Sequence, residues 1–283
     1  MEATTTTKVL DDFSLEMTGK DVPSLQQAAH AIPQGTRVNV TFLGNENLQM
    51  RVEAAKEVLD LGFVPVPHIS ARRLKSETEL CEFLEALQQA GASEHVFVVG
   101  GDPATPEGPY SDSLSVIRTG ILQSYGVTEV GIAGYPEGHP DINTEALWEH
   151  MEAKCTSLAE QGLGQVVLTQ FAFDAEAVVA WVHEVRSHGI EADLRIGTPG
   201  PAGIKRLLGY ARRFGVGTSA GIAKKYGFSL TNLIGTAGPE RFLKDMTSYE
   251  SITSASSGVK AHFYTFGGLA ATAEWVQDFT AQA

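Results

Sequence analysis

Eight short apolar runs, separated by stretches with a 3.6-residue apolar period, constrain this chain more than any other feature. The runs cover residues 13–17, 38–42, 64–69, 96–99, 127–133, 166–170, 192–197 and 261–266. Several are apolar at nearly every position, as in strands covered on both faces. The intervening segments behave differently. Segment 48–61 places Val52, Ala55, Val58 and Leu59 on one helical face, and 76–90 does the same with Leu80, Phe83, Leu84 and Leu87. Segments 111–124 and 175–188 share that period, which is the signature of amphipathic helices. Ser76, followed three residues later by Glu79, has the form of a capping box. Eight strands, each followed by helix, predict an α/β fold: a (β/α)8 TIM barrel. A single domain is expected over 1–283. A doubly wound open sheet is the alternative, and the strand count favours the barrel. Segment 198–258 lacks a strand pattern. It is expected to hold two or three helices, within the domain, as an added lid or substrate-binding segment.

Size and charge narrow the function classes. A length of 283 residues suits one such barrel, which typically needs about 250. The net charge of −13 argues against a nucleic-acid partner or an anionic membrane surface. Anionic small molecules stay open wherever basic residues cluster. The interval between Asp193 and Glu240 contains no acid and holds Lys205, Arg206, Arg212, Arg213, Lys224 and Lys225. These fit phosphates or carboxylates of a ligand, or simply solvated helix faces. Cys81 and Cys155 lie inside helical patterns and make neither a disulfide framework nor a zinc site, so buried thiols are expected. The H-E-x-x-H metal pattern, the G-x-G-x-x-G fingerprint and a Walker A loop are all absent from the sequence, and no metal is expected. Residues 1–7 are polar, no apolar run is long enough for a membrane span, and a cytoplasmic location is expected.

In a parallel barrel, chemistry sits past the C-terminal strand ends. Those ends here carry Glu16, Thr41, His68, Asp102, Tyr135, Glu137, His139, Thr169 and Gln170. Each alone fits a solvated loop; the set carries the weight. Glu16 closes an apolar run, where a carboxylate is costly unless solvated or paired. It is either a general acid whose pKa burial raises or a loop carboxylate. Gly100-Gly101-Asp102-Pro103 is either a tight turn or a place where backbone approaches a ligand. His68 stands between apolar residues, as a satisfied core histidine does; His139 stands among turn residues and is the better ligand-facing candidate.

The stretch Gly134-Tyr135-Pro136-Glu137-Gly138-His139-Pro140 resembles the Y-P-E-x-H-P motif of the methylenetetrahydrofolate reductase family. Thr169-Gln170-Phe171-Ala172-Phe173-Asp174 resembles its T-Q-F/L-F-F-D, His262-Phe263-Tyr264-Thr265 its H-F-Y-T, and Pro67-His68 its P-H-L/I segment. Order and spacing agree along almost the whole chain. The resemblance implies a (β/α)8 barrel. It also implies reduction of 5,10-methylenetetrahydrofolate to 5-methyltetrahydrofolate, in one-carbon metabolism leading to methionine. NAD(P)H would be the hydride source, with FAD as carrier in most members. By resemblance, Glu16 is the general acid, Asp102 hydrogen-bonds the pterin, and Thr169 and Gln170 orient substrate. Thr41, His68, Gly101, Asp102, Tyr135, Glu137 and His139 would line the cofactor site, with Arg72, Arg73 and Lys154 as candidate phosphate ligands.

Four departures stand out. The family's F-E-F-F-P-P becomes Leu15-Glu16-Met17-Thr18-Gly19-Lys20, keeping the acid without its frame. The arginine before Gly-Asp is Gly100. The basic pair of the following helix falls near Ser157 and Leu158, with only Lys154 nearby. The asparagine-arginine after H-F-Y-T is Gly267-Gly268. Positive charge is thus lost at three places, which opens a flavin-free variant with hydride passing straight from nicotinamide to folate. Oxidation of 5-methyltetrahydrofolate is the same reaction reversed. A folate-binding barrel without reductase activity, serving as carrier or methyltransferase partner, is the reading from another class. A homo-oligomer is compatible with the sequence.

Overall fold

The computed structural model describes residues 8–216, 221–223, 235–254 and 258–282. Eight strands close into a parallel barrel: β1 (Ser14–Thr18), β2 (Arg37–Thr41), β3 (Val64–Ser70), β4 (His95–Val99), β5 (Glu129–Gly134), β6 (Gly164–Thr169), β7 (Asp193–Pro199) and β8 (Val259–Tyr264), with β8 pairing back onto β1. Each overlaps the run that the sequence singles out. The helices are α1 (Val22–Ala28), α2 (Leu48–Asp60), α3 (Glu77–Gln89), α4 (Ser113–Ile117), α5 (Thr144–Glu160), α6 (Ala175–Ser187), α7 (Ile204–Phe214), α8 (Glu240–Thr247), α9 (Glu250–Thr253) and α10 (Leu269–Ala281). None of them is long and apolar enough to cross a membrane.

Side-chain alternation explains both faces of the barrel wall. Outward residues such as Leu15, Met17, Val38, Val40, Ile132, Val167, Ile196 and Phe263 join the helices in one core cluster. Inward residues Val66, Phe97 and Leu168, flanked by Val99 and Ala133, form a separate apolar plug inside the barrel.

Three local expectations change. Segment 111–124 is not one helix: α4 ends at Ile117, Gly120 takes a left-handed φ of 70°, and a short 3-10 turn follows over Leu122–Tyr125. On α2 the buried face carries Arg51 beside Ala54, Ala55 and Val58, while Leu59 is 39 % exposed. The Arg51 guanidinium lies 3.7 Å from the Phe42 ring centroid and 4.3 Å from that of Phe83, and this double cation–π contact is what turns it inward. The cap of α3 is also altered: Ser76 Oγ accepts from Glu79 N at 3.1 Å, yet Glu79 Oε2 accepts from Lys75 N rather than from Ser76. Cys155 is buried and Cys81 only partly so; both are free thiols.

In the described parts of 198–258, Ala202–Gly203 pairs antiparallel with Thr236–Ala237, and α7, α8 and α9 follow the chain order. Of the basic residues there, Arg206 donates from Nη1 to the Phe266 carbonyl at 2.6 Å. Lys224 and Lys225 lie outside the described residues, as do 1–7.

The end of the barrel away from the strand C-termini is ionic. Arg37 on β2 forks the Glu129 carboxylate on β5, and His95 Nδ1 lies 3.3 Å from the same carboxylate. Arg195 Nη2 holds Asp12 Oδ2 at 2.6 Å. Burial alone would raise the Glu129 pKa, but the hydrogen bonds from His95 and Arg37 and their charges bring it down from 4.5 to about 2. A depressed carboxylate stabilises the fold above the unfolded-state value and loses that contribution as pH falls through the folded one. Stability is therefore expected to drop by on the order of 3 kcal/mol between pH 4.5 and 2 on account of this group. Urea titrations across that range should show a flatter acid limb for Glu129→Gln; an unchanged slope would remove Glu129 from the account.

Candidate active site

Glu16 points into the barrel from β1, at the mouth end, two residues beyond the inward Ser14. Its side chain keeps 21 % of its surface open, while protein packs the remainder. His262 on β8 brings Nε2 to 3.8 Å from Glu16 Oε2. Burial raises the Glu16 carboxyl to about 7, opposed by the charge of His68. His68 falls to about 4, chiefly through burial, with Glu16 opposing and His262 adding to the shift. His262 falls to about 3, through burial and then the Arg195 charge. Near neutral pH the site therefore presents a carboxyl that shuttles between its two forms, faced by two neutral imidazoles.

The neighbours are held in place by hydrogen bonds to the wall. His68 Nε2 lies 3.3 Å from Asn39 Oδ1 on β2. Tyr264 donates its hydroxyl to the Thr169 carbonyl at 3.0 Å. Its phenol pKa is pushed well above the ordinary value by burial, then by Glu16 and Tyr135. Thr265 Oγ1 donates to the Glu16 carbonyl at 2.6 Å and ties β1 to β8. Thr169 is fully buried and accepts from Gly197 N at 2.8 Å. A Cβ on Gly197 would lie 2.5 Å from the Thr169 carbonyl and 2.7 Å from the Tyr264 ring, so only glycine lets Tyr264 lie there.

Around the mouth, Tyr135 and His139 meet edge to face with centroids 5.1 Å apart, and His139 Nδ1 accepts from Asp141 N at 3.1 Å. Glu137 Oε1 accepts from the backbone of Phe173 at 2.8 Å and of Asp174 at 3.2 Å, joining the loops after β5 and β6. Gln170 Oε1 accepts from the Phe171 backbone at 3.1 Å. Beyond it, the Phe171 ring meets Phe173, Phe214, Tyr264 and Phe266 edge-on, and Tyr210 stacks on Phe266 at 3.9 Å. These rings form an aromatic wall on the β6–β8 side. Thr41 Oγ1 at the end of β2 is buried and has no partner among the described residues.

The candidate cations are placed differently. Arg73 forks Asp102, Nε to Oδ1 and Nη2 to Oδ2, each at 2.8 Å, and lies 5.5 Å over the Phe42 ring. Arg72 donates to the carbonyls of Ser111 at 2.7 Å and Pro103 at 3.4 Å. Gly101 sits against Ser70. Lys154 is buried on α5 beside Cys155, its pKa lowered by burial while Cys155 and Asp112 oppose the shift. The two arginines thus organise the loops after β3 and β4, and Lys154 packs within the helical layer. None of the three is arranged as a ready ligand for a flavin pyrophosphate.

The fold brings Glu16 and His68 together, with Tyr135 coupled to them through Tyr264. It adds Ser14, Asn39, His262 and Tyr264, to which sequence reasoning assigned no role. Their signal was the period of two: Ser14 and Glu16, and His262 and Tyr264, share the inward face of neighbouring strands.

A family model described as methylenetetrahydrofolate reductase matches residues 12–200. Methylenetetrahydrofolate reductase 1 of Schizosaccharomyces pombe is 33 % identical over 81 residues, which is 28 % of this chain and 12 % of that protein. The aligned part thus spans about an eighth of that curated relative. Among solved structures, the dihydropteroate synthase FolP of Thermus thermophilus aligns over 97 % of this chain and 96 % of its own, at a TM-score of 0.51 and 13 % identity. A thermostable aldo-keto reductase, Tm1743, solved with the inhibitor epalrestat, covers 94 % of this chain and 89 % of its own at a TM-score of 0.48 and 13 % identity. At that identity the synthase speaks to the barrel fold alone.

Proposed function

The chain belongs to the methylenetetrahydrofolate reductase family, and from that premise we propose that it reduces 5,10-methylenetetrahydrofolate to 5-methyltetrahydrofolate with hydride taken directly from NAD(P)H. The reading rests on one observation above the others: a carboxyl poised at about 7, buried at the barrel mouth. A general acid is most effective when its pKa lies near the working pH.

The chemistry requires one proton and one hydride. Glu16 gives its proton to N10 as the C–N10 bond of the five-membered ring breaks, leaving an N5 iminium cation. Hydride from the nicotinamide then bonds to the exocyclic methylene carbon, forming the N5-methyl group and NAD(P)+. Glu16, now ionised, recovers a proton from solvent through the open mouth. Asp102 is the acceptor proposed for the pterin edge, with Arg73 holding its carboxylate. Gln170 and Thr169 are proposed on the substrate side, Thr169 through the Tyr264 it holds. Tyr135 and His139 offer surface to the nicotinamide, with Thr41 proposed beside them at the end of β2. No step is routed through FAD, because Arg72, Arg73 and Lys154 are engaged or buried as described above.

The test is to assay the purified protein for NADH and NADPH oxidation with methylenetetrahydrofolate, with and without added FAD, and to record its visible spectrum. Colourless, active protein unaffected by FAD is the expected result. Yellow protein, or activity that needs FAD, would overturn direct transfer. Folate binding without any nicotinamide oxidation would favour the folate-binding barrel instead.

A further inference from the structure

Ser14 and Glu16 share the inward face of β1, and Ser14 stands opposite His262 in the β1–β8 register. The His262 ring is fully enclosed. Its Nδ1 lies 2.9 Å from Ser14 Oγ, and its Nε2 has no hydrogen-bond partner among the described residues, with Glu16 Oε2 the group it faces at 3.8 Å. A neutral imidazole has one donor and one acceptor nitrogen, and its neighbours decide which is which. If Nδ1 carried the hydrogen, the Ser14 hydroxyl hydrogen would be buried without a partner among the described residues, and the Nε2 lone pair could be met only while Glu16 holds its proton. If Nε2 carries it, the Ser14 hydroxyl donates to Nδ1, and the single outstanding group is an N–H aimed at a carboxyl. The second arrangement leaves fewer buried polar groups unsatisfied.

We propose that His262 is a positioning residue for Glu16: Ser14 locks its ring as the Nε2–H tautomer, and that N–H is the donor that holds the Glu16 carboxylate once its proton has left. The inference rests on Glu16 being the acid of the proposed reaction only for its catalytic consequence; the tautomer and the contact belong to the protein without substrate. No proton is transferred to or from the ring. Glu16 exchanges its proton with substrate and solvent, and a small rotation of its partly exposed side chain closes the gap to Nε2.

Other groups also face this carboxyl. His68 on β3 is neutral near pH 7 and bonded to Asn39, Tyr264 on β8 donates to the Thr169 carbonyl with Tyr135 behind it, and Arg195 on β7 lies beyond His262. Among the described residues, His262 Nε2 stands 3.8 Å from Glu16 Oε2, within ion-pair distance. Burial sets the upward shift of Glu16 and the charge of His68 opposes it; a donor at His262 Nε2 would act in the same sense as His68, by favouring the ionised form.

The experiment uses the full chain without ligand. The His262 tautomer is read from 15N-labelled histidine, and the Glu16 titration from 13C-carboxyl-labelled glutamate. Expected are the Nε2–H tautomer in the parent protein and, in Ser14→Ala, the appearance of the Nδ1–H form. Replacing His262 with Leu should raise the Glu16 pKa by roughly one to two units, the size of one hydrogen bond to a charged group. His262→Gln, whose amide nitrogen can stand near the Nε2 position, should return it towards the parent value. An Nδ1–H ring in the parent protein, or a Glu16 titration identical in the parent, Leu and Gln proteins, would overturn the proposal. Should the Leu variant not fold, the parent tautomer and Ser14→Ala decide alone. These readings hold whether or not the protein oxidises NAD(P)H, so failure of the reductase reading and failure of this one are separate results.

Discussion

Glu16→Gln is expected to remove turnover while making the folded protein more stable. The glutamine keeps the shape of the side chain and loses the proton that N10 must receive. Loss of a positioned general acid typically costs about 10²–10⁴-fold in rate, so kcat should fall by that amount with folate binding within a few-fold of the parent. The stability gain comes from the same carboxyl. Its pKa is about 7 in the folded protein against an ordinary 4.5. Between those values the unfolded chain has released a proton that the folded chain still holds, so parent stability falls as pH rises from 4.5 to 7 and stays at the lower level above 7. The full penalty is about 3 kcal/mol. Urea denaturation at pH 5 and pH 8 tests this. The variant should exceed the parent clearly at pH 8 and only slightly at pH 5. Equal stabilities at pH 8 would mean that burial does not raise Glu16, and turnover near the parent rate would remove it as the acid. In the parent, activity should decline above pH 7 as the carboxyl ionises.

Phe263→Ala is expected to do the opposite. Phe263 is fully buried on the outer face of β8, with its ring 5.8 Å from Phe13 and 5.9 Å from Trp275, both edge-on. Truncating it removes the ring's burial and leaves a cavity between the barrel wall and α10. Such a change costs about 3–5 kcal/mol. For a chain of this size that corresponds to a fall in Tm on the order of 10 °C. His262 and Tyr264 point to the other face of the strand, so turnover per folded molecule should stay within a few-fold at low temperature. Thermal denaturation together with kcat measured well below the transition separates the two effects. A loss of activity at full folding would show that the outer layer positions the site more tightly than strand alternation implies.

These two residues, on neighbouring strands and opposite faces of the wall, show what could be read in advance. Glu16 was legible because an acid closing an apolar run is costly and needs a reason. Phe263 was legible as part of a strand and of a motif. His262 and Tyr264 stood in that same motif, yet nothing local distinguishes a histidine aimed at Glu16 from one aimed at a helix. The inward parity follows from β1 and β8 being neighbours, which closure of the barrel decides. What engages Arg72, Arg73 and Lys154 was hidden for a related reason. Positive charge in a sequence says nothing of what already holds it, and Asp102, the carbonyls of Ser111 and Pro103, and the helical layer around α5 hold these three.

The end of α4 at Ile117, with Gly120 just beyond it, and the inward turn of Arg51 make the same point at the level of local structure. A periodic pattern predicts a helix and its face, but a left-handed glycine or a pair of aromatic rings overrides it at single positions. What the sequence determined alone was the order of eight strands, the barrel that their count favours, and the family motifs at the strand ends. These follow from local periodicity and from short contiguous segments. What only the tertiary structure decided was the pairing across the barrel. Glu16 lies 246 residues before His262 and yet faces it. Its titration is governed by burial, which no stretch of sequence carries by itself and which exists only once the barrel has closed.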